Sequence, residues 1–527
     1  MTNLAPTLAP TALCPRCGKT HLSLDSVSQT RRDHHPFWID CPTNPVDWLE
    51  EQVKLGLQPP SVFKVAQDQM EEEMRQALLV EKIAGNDPET TRWVQELIRQ
   101  AGGFDAAFRA AFGEKATQLA QDSQQRYPLS RRKFIQNLLI GAMLVTLANC
   151  GEATLSEDED SLAQRRLEKT HLKIAFLPIA CATPIVIAQP LGFYEKHGLT
   201  VELVKMNSWP ELRDAAIAGE FDAYHMLSPM PLAMSLGLGS QATAIRLASI
   251  ENNNGNAIVV ALRHRERIQG AADFNGFRIA VPYIYSMHNL LLRYYLAAGG
   301  VHPDREVEIV VASPMAALEE LRNGSIDAML VAEPFNQLAV DQNIGFIHLL
   351  SQELWAGHPC CSFTASKAWI DEYPSTFRAV NKAIIESAYY TRRSENRREA
   401  AQAVAGAEYL NVSPTALESV FTGQFEDGLG NRRNVPNRID FDPYPWKSFS
   451  YWMTTQFKRW GFLSDPNIDH EDIADEVFMT ALARQLSKQL GQNPPTLIMR
   501  IEDLKYDRFD PTNPPEYLTR QLERFEF

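Results

Sequence analysis

The chain has 527 residues, 45% of them hydrophobic and 22% charged, and a formal net charge of -14. This composition leaves room for several domain-sized units, and nothing in it suggests a polytopic membrane protein. The acidic balance argues against a nucleic-acid surface, which needs clustered Lys and Arg to displace counterions from phosphates; a small anion must instead be held by local donors.

Residues 1–60 carry Cys14, Cys17 and His21 in "CPRCGKTH", with Cys41 further on. A C-x-x-C knuckle with a nearby His and a third Cys makes four tetrahedral zinc ligands, although a second C-x-x-C is absent. The alternative is a flexible arm with reduced, unliganded thiols. Residues 61–127 place apolar residues at three- and four-residue steps in "MEEEMRQALLVEKIAG", "TTRWVQELIRQAG" and "FDAAFRAAFGEKATQLAQ". That spacing predicts helices that dock on a partner or on themselves, with no visible chemistry.

Residues 128–151 include "SRRKFIQNLLIGAMLVTLANCG". Arg131 and Arg132 precede an apolar stretch of about 15 residues, short for a bilayer span of about 20 but right for the apolar region of an export signal. The order basic, apolar, small, Cys resembles a twin-arginine signal ending in a lipoprotein cleavage site at Cys150, with Asn149 where such sites carry a small residue. A buried helix of a soluble protein is the other reading. Residues 152–168 form an acidic linker. The seven cysteines are an odd number, so a fully paired disulfide framework is excluded.

Over residues 169–527 the texture changes to alternating strand and helix. Short apolar runs predict strands at "LKIAFLPIA", "TVELVKM", "FDAYHMLS", "NAIVVAL", "FRIAVPY", "VEIVVAS", "DAMLVAE" and "GFIHLLS", separated by helix-length stretches. Such alternation predicts parallel sheets with helices on both faces. "ELRDAAIAGEFDAYHML" and "AALEELRNGSIDAMLVAEP" repeat one pattern: helix, Gly, acidic turn residue, then a strand opening Asp-Ala. Two similar halves predict two α/β lobes facing each other across a ligand cleft.

From about Leu172 to Phe527 the chain resembles the periplasmic solute-binding proteins of ABC importers, and more narrowly the cyanobacterial nitrate- and bicarbonate-binding lipoproteins. The motifs that carry this are "YHMLSPMPLAMSLG", "HNLLLRYYLAAGGVHPD", "VAEPFNQLAVDQNIGF", "ELWAGHP", "YPWKSFSYWMTTQFKRWGFL" and "DRFDPTNPPEYL". The resemblance implies an α/β, two-lobed periplasmic-binding-protein fold, class II-like, here preceded by a small, mainly helical N-terminal region. It also implies a ligand site. Trp209 in "NSWPELRD" matches the family's indole donor, and His288 in "YSMHNLLLRYY" its ligand-contacting histidine. Asn256 stands where nitrate binders have Gln, and Ala332 where a Gly offers its backbone N–H. Cys361 in "GHPCCSF" stands where nitrate binders carry Lys and bicarbonate binders Glu, so the formal charge partner of a monovalent anion is gone. Read without the resemblance, Trp209 is a packing residue at a helix start, His288 a cap or surface group, and Cys361 a small buried side chain.

The function so implied is capture of a small oxyanion between the lobes for delivery to a permease and its ATPase, at the periplasmic side of the plasma membrane. Attachment would be through a lipid or an anchor, and no cofactor is required beyond zinc in the N-terminal segment. Residues 1–127 either stay cytoplasmic behind an uncleaved anchor or reflect a start assigned too far upstream. The alternative is a membrane-tethered sensor, with the same lobes reporting to a cytoplasmic N-terminal unit. An enzyme on this fold, like the pyrimidine-forming thiamin enzymes, is a third, weaker reading; no Gly-x-Ser-x-Gly elbow, His-Glu-x-x-His or Walker loop is present.

Overall fold

A computed structural model describes residues 167–465 and 468–525, which fall within one contact unit, Asp158–Phe527. The expected zinc ligands Cys14, Cys17, His21 and Cys41, the helical region 61–127 and the signal-like segment with Cys150 lie outside the described residues. No helix among the described residues is long and apolar enough to cross a membrane.

Two sheets form two lobes. In the first, β1 (His171–Phe176), β2 (Thr200–Lys205), β3 (Ala223–Leu227), β4 (Ile245–Asn254), β10 (Pro359–Ser366) and β13 (Ile439–Asp440) lie in the order β13-β4-β10-β3-β1-β2. In the second, β5 (Asn256–Ala261), β6 (Arg278–Val281), β7 (Glu308–Val311), β8 (Ala328–Ala332) and β9 (Gly345–Leu350) lie in the order β7-β6-β8-β5-β9. Two short ribbons complete the strands: β11 (Gln424–Glu426) with β12 (Arg432–Asn434), and β14 (Glu502–Asp503) with β15 (Arg508–Phe509). The central strands β3, β5 and β8 are buried along their whole length, because helices cover both faces of each sheet.

The sequence repeat has a structural cause. In each lobe a helix, Trp209–Ala218 or Pro314–Asn323, ends on a left-handed glycine, Gly219 or Gly324, and is followed by the strand β3 or β8. The Asp ahead of that strand then accepts a backbone N–H from the neighbouring parallel strand. Asp222 Oδ2 takes the N–H of Lys173 at 2.9 Å, and Asp327 Oδ2 that of Arg278 at 2.9 Å. The carboxylate thus anchors the strand start where regular ladder bonds begin.

The expectation of parallel sheets needs correction: both are mixed. β1, β2 and β3 are parallel, as are β6, β7 and β8, but β10 runs antiparallel to β3 and β4, and β5 antiparallel to β8 and β9. The exceptions follow from the two passages between lobes. β4 leaves the first sheet and becomes β5 in the second, and β9 leaves the second and becomes β10 in the first. A strand entering from the other lobe meets its new sheet against the direction of the right-handed crossovers.

Asn254 and Gly255 make the first passage, with φ of 60° and 77°. These left-handed values suit Asn and Gly, and a Cβ on Gly255 would sit 3.0 Å from both Asn252 Nδ2 and Ile439. Asn254 ties the two passages together: its N–H donates to His358 O at 3.0 Å, and its Oδ1 accepts from Gly357 N at 2.8 Å. Glu333 tightens the same knot. Its N–H donates to Gly255 O at 3.1 Å, its C=O accepts from Ala180 N of the first lobe at 2.9 Å, and its carboxylate takes the fully buried Arg438 guanidinium at 2.5 and 3.0 Å. Arg438 also donates to Gln337 Oε1 at 2.7 Å and lies 4.1 Å from the Phe425 ring centroid. Removing one partner of such a buried pair costs about 3–5 kcal/mol, since the other charge is left alone.

The second passage carries a β-bulge. Pairing with β4 shifts between Pro359 and Cys361, so an extra residue is accommodated at Cys360. Alternation along a regular strand would point Cys360 and Cys361 to opposite faces; the bulge turns both thiols to one side, with their Sγ atoms 3.8 Å apart. The Cys361 N–H donates to Asn252 Oδ1 at 3.1 Å. Asn252→Ala leaves that buried N–H without an acceptor, and the expected loss is about 1–3 kcal/mol of unfolding free energy in denaturant titration; stability equal to the parent would show that the bulge does not need Asn252.

The buried His358 and the half-buried His470 contribute to an acid limit. Burial holds His358 down to about 4 and His470 to about 4, against an ordinary value of 6.5. The unfolded chain therefore binds more protons than the folded one below pH 6.5, and stability falls as pH drops from 6.5 towards 4. We expect the urea midpoint to decline over that window and His470→Gln to remove part of the slope; a midpoint level from pH 6.5 to 4.5 contradicts it.

Candidate functional site

The two passages set the floor of a cleft, and side chains from both lobes converge on it. Trp209 opens its helix behind the N-cap Ser208, whose Oγ accepts from Glu211 N at 3.3 Å. The indole is 1% exposed and its Nε1–H has no hydrogen-bond partner among the described residues. From the second lobe, His288 sits in the first turn of the helix Met287–Ala298, capped by Ser286 Oγ accepting from Asn289 N at 3.0 Å. It is fully buried, and neither ring nitrogen is bonded.

Asn256 begins β5 and is paired across the ladder with Ala332 of β8. Its Oδ1 accepts from Cys360 Sγ at 3.5 Å, while its Nδ2 is unpartnered. Cys361 comes from the bulged strand of the first lobe. Of the five residues expected at the site, Asn256 and Ala332 are neighbours on the second-lobe sheet. Cys361 reaches Asn256 through Cys360, and Trp209 joins through His225, their rings 5.3 Å apart.

Other members were not singled out from sequence. His225 of β3 accepts from Leu177 N at Nδ1, 3.3 Å away, which puts the ring proton on Nε2. That Nε2 is unpartnered and lies 3.8 Å from Glu251 Oε2. Burial pushes His225 down to about 3, so it is a neutral donor. Glu251 of β4 is fully buried with neither oxygen bonded, and burial, then the nearby Cys360, push its carboxyl well above the usual range. It is a neutral acid that donates rather than a carboxylate. Ser228 Oγ is likewise buried and unpartnered. Cys181, from the turn after β1, has its Sγ 3.6 Å from Cys360 Sγ. His225 and Ser228 lay inside the quoted motif "YHMLSPMP", and a charged Glu251 in a run otherwise fit for a strand was the remaining signal.

The cluster therefore offers hydrogen-bond donors at Trp209, His225, Ser228, Asn256 and His288, with no lysine or arginine among its members; the buried Arg438 is held by Glu333. Leaving so many buried polar atoms unpaired costs about 1–3 kcal/mol each, which is sustained where a ligand takes them up. The lobes are closed on one another: Arg213 Nη1 donates to Tyr283 OH at 3.3 Å across the rim, and Trp209 and His288 are shut from solvent.

Comparison with known proteins agrees with this architecture. A model described as the NMT1-like family matches residues 165–405. The nitrate/nitrite binding protein NrtA of Nostoc sp. is 30% identical over 382 residues, covering 67% of this chain and 86% of that protein. The bicarbonate-binding protein CmpA of Synechococcus elongatus is 27% identical over 440 residues, covering 74% of this chain and 97% of that protein. The crystal structure of the periplasmic nitrate-binding protein NrtA from Synechocystis superposes with a TM-score of 0.65 at 27% identity, over 67% of this chain and 99% of that one. These relatives are binding proteins of transporters, not enzymes. With two lobes, two passages and a cleft of inward-facing donors, the chain belongs to the family of solute-binding proteins that includes NrtA and CmpA.

Proposed function

We propose that this solute-binding component of an ABC importer captures a small planar oxyanion, of the nitrate, nitrite or bicarbonate kind, and presents it to a permease served by an ATPase. The observation that carries the ligand class is the set of buried, unpartnered N–H and O–H groups from both lobes, on Trp209, His225, Ser228, Asn256 and His288. A trioxo species accepts several such bonds at once, and the donors reach it from opposite sides only when the lobes are closed. Ala332 adds a methyl where the related binders carry a Gly, which trims the pocket beside Asn256.

By the resemblance, nitrate binders carry a lysine where this chain has Cys361, so the affinity here rests on the hydrogen-bond donors named above. Neutral donors still discriminate sharply, since a buried donor left unpaired penalises a ligand that lacks the matching oxygen. The export-like segment 128–151 fits delivery of the binding lobes to the periplasmic side, tethered through Cys150 or through the apolar stretch. Whether the N-terminal 127 residues travel with them separates transport from the sensor reading.

Calorimetry on the full chain with nitrate, nitrite, bicarbonate and cyanate tests the ligand class. One of them is expected to bind, and Trp209→Phe and His288→Ala each to weaken it about 10- to 100-fold, the worth of one hydrogen bond to a charged ligand. Unchanged affinity in both variants would sink the site. For the tether, membrane fractionation of cells producing Cys150→Ala is expected to release the protein if lipid holds it; retention in the membrane assigns the role to the apolar stretch, and a wild-type chain found free of the membrane rules out both.

A further inference from the structure

The oxyanion reading leaves three buried thiols unused. Cys181, Cys360 and Cys361 are fully buried, are not joined by disulfides, and bring their Sγ atoms within 4.8 Å of one another. The separations are 3.6 Å from Cys181 to Cys360 and 3.8 Å from Cys360 to Cys361. Thiolates bound tetrahedrally at about 2.3 Å from one ion stand roughly 3.8 Å apart. A disulfide would need about 2.05 Å and a particular torsion, so the spacing matches shared coordination better than a covalent bridge.

The backbone holds this triad in place. The bulge in β10 puts Cys360 and Cys361 on one face, Cys360 O accepts from Ser228 N at 2.9 Å, and Cys361 N is tied to Asn252. Cys181 sits in the short turn Ala180–Ala182, where Ala180 N is bonded to Glu333 O across the lobes. Three thiolates serve as the protein ligands, with the fourth tetrahedral position taken by water or another outside ligand. Sulfur ligands of this density select soft ions over magnesium or calcium, which take oxygen.

We propose that Cys181, Cys360 and Cys361 bind a thiophilic d10 cation of the zinc or copper(I) class at the floor of the cleft. For a divalent ion, three S–H bonds break, three protons leave to solvent and three metal–sulfur bonds form, giving a site of net charge -1 without any change of oxidation state. The inference stands independently of which oxyanion the donors hold.

The test is a cadmium titration of the full chain carrying C14S, C17S and C41S, which removes the N-terminal thiols as competitors. One equivalent of Cd²⁺ is expected to give the ultraviolet thiolate-to-metal charge-transfer band, displaced by Zn²⁺, with Cys361→Ser lowering the affinity at least 100-fold. No band, or the same band in Cys361→Ser, overturns the proposal. Because a buried substitution can impair folding, a second measurement uses the unaltered chain. Saturating Zn²⁺ is expected to slow alkylation of Cys181, Cys360 and Cys361 but not of Cys150, read by peptide mass spectrometry, and equal rates with and without Zn²⁺ overturn it as well. Failure of every oxyanion to bind leaves both metal readings unaffected, so the two conclusions fail separately.

Discussion

The structure turns on one point, where the chain crosses between lobes through two consecutive left-handed residues. Asn254 and Gly255 reverse the local backbone, and the bonds radiating from them reach both lobes and the second passage. The buried Glu333–Arg438 pair closes the same knot from the second lobe and from the chain that returns to the first. A charge pair without access to water is weak evidence of net stability but strongly penalises any arrangement that separates it. Its value here is registry: it holds the ends of β4, β5 and β8 in the one alignment that aims the site residues inward.

That alignment explains the chemistry of the cleft. Desolvation dominates it. Burial keeps His225 neutral and Glu251 protonated, so groups that would be charged at a surface act as neutral donors. Cys361, with its bulged neighbour and Cys181, forms a soft one-sided cluster at the floor of the cleft.

The C-terminal chain contributes rigidity to this arrangement. The helix Lys447–Arg459 is buried along most of its length, with Trp452 against Trp355 of the second passage at 4.8 Å between ring centroids. Glu502 accepts from Trp355 Nε1 at 3.1 Å and from Ser448 Oγ at 2.6 Å, and burial pushes its carboxyl up despite the neighbouring Arg500. The second passage is thereby pinned from outside the cleft. Arg293 of the second lobe packs over the rings of Trp460 and Phe462, at 5.6 and 5.2 Å, which links the same C-terminal chain to the other half.

Sequence by itself determined the alternation of strands and helices and the repeat in the two lobes. Those features are local: an apolar run, a helix ending in Gly and an Asp-Ala strand start act within a few residues, and Trp209 and His288 stand in motifs that resemble the family's. The tertiary structure decided the rest. β4 and β10 escaped the pattern because a strand that leaves one lobe for the other carries polar residues such as Glu251 and the three asparagines 252–254, whose partners lie about a hundred residues away or more. The grouping of Cys181 with Cys360 and Cys361 spans 179 residues, and the shared face of two adjacent cysteines comes from a bulge that only the pairing with β4 creates. Contacts of that range depend on sheet register and burial, which no local spacing encodes.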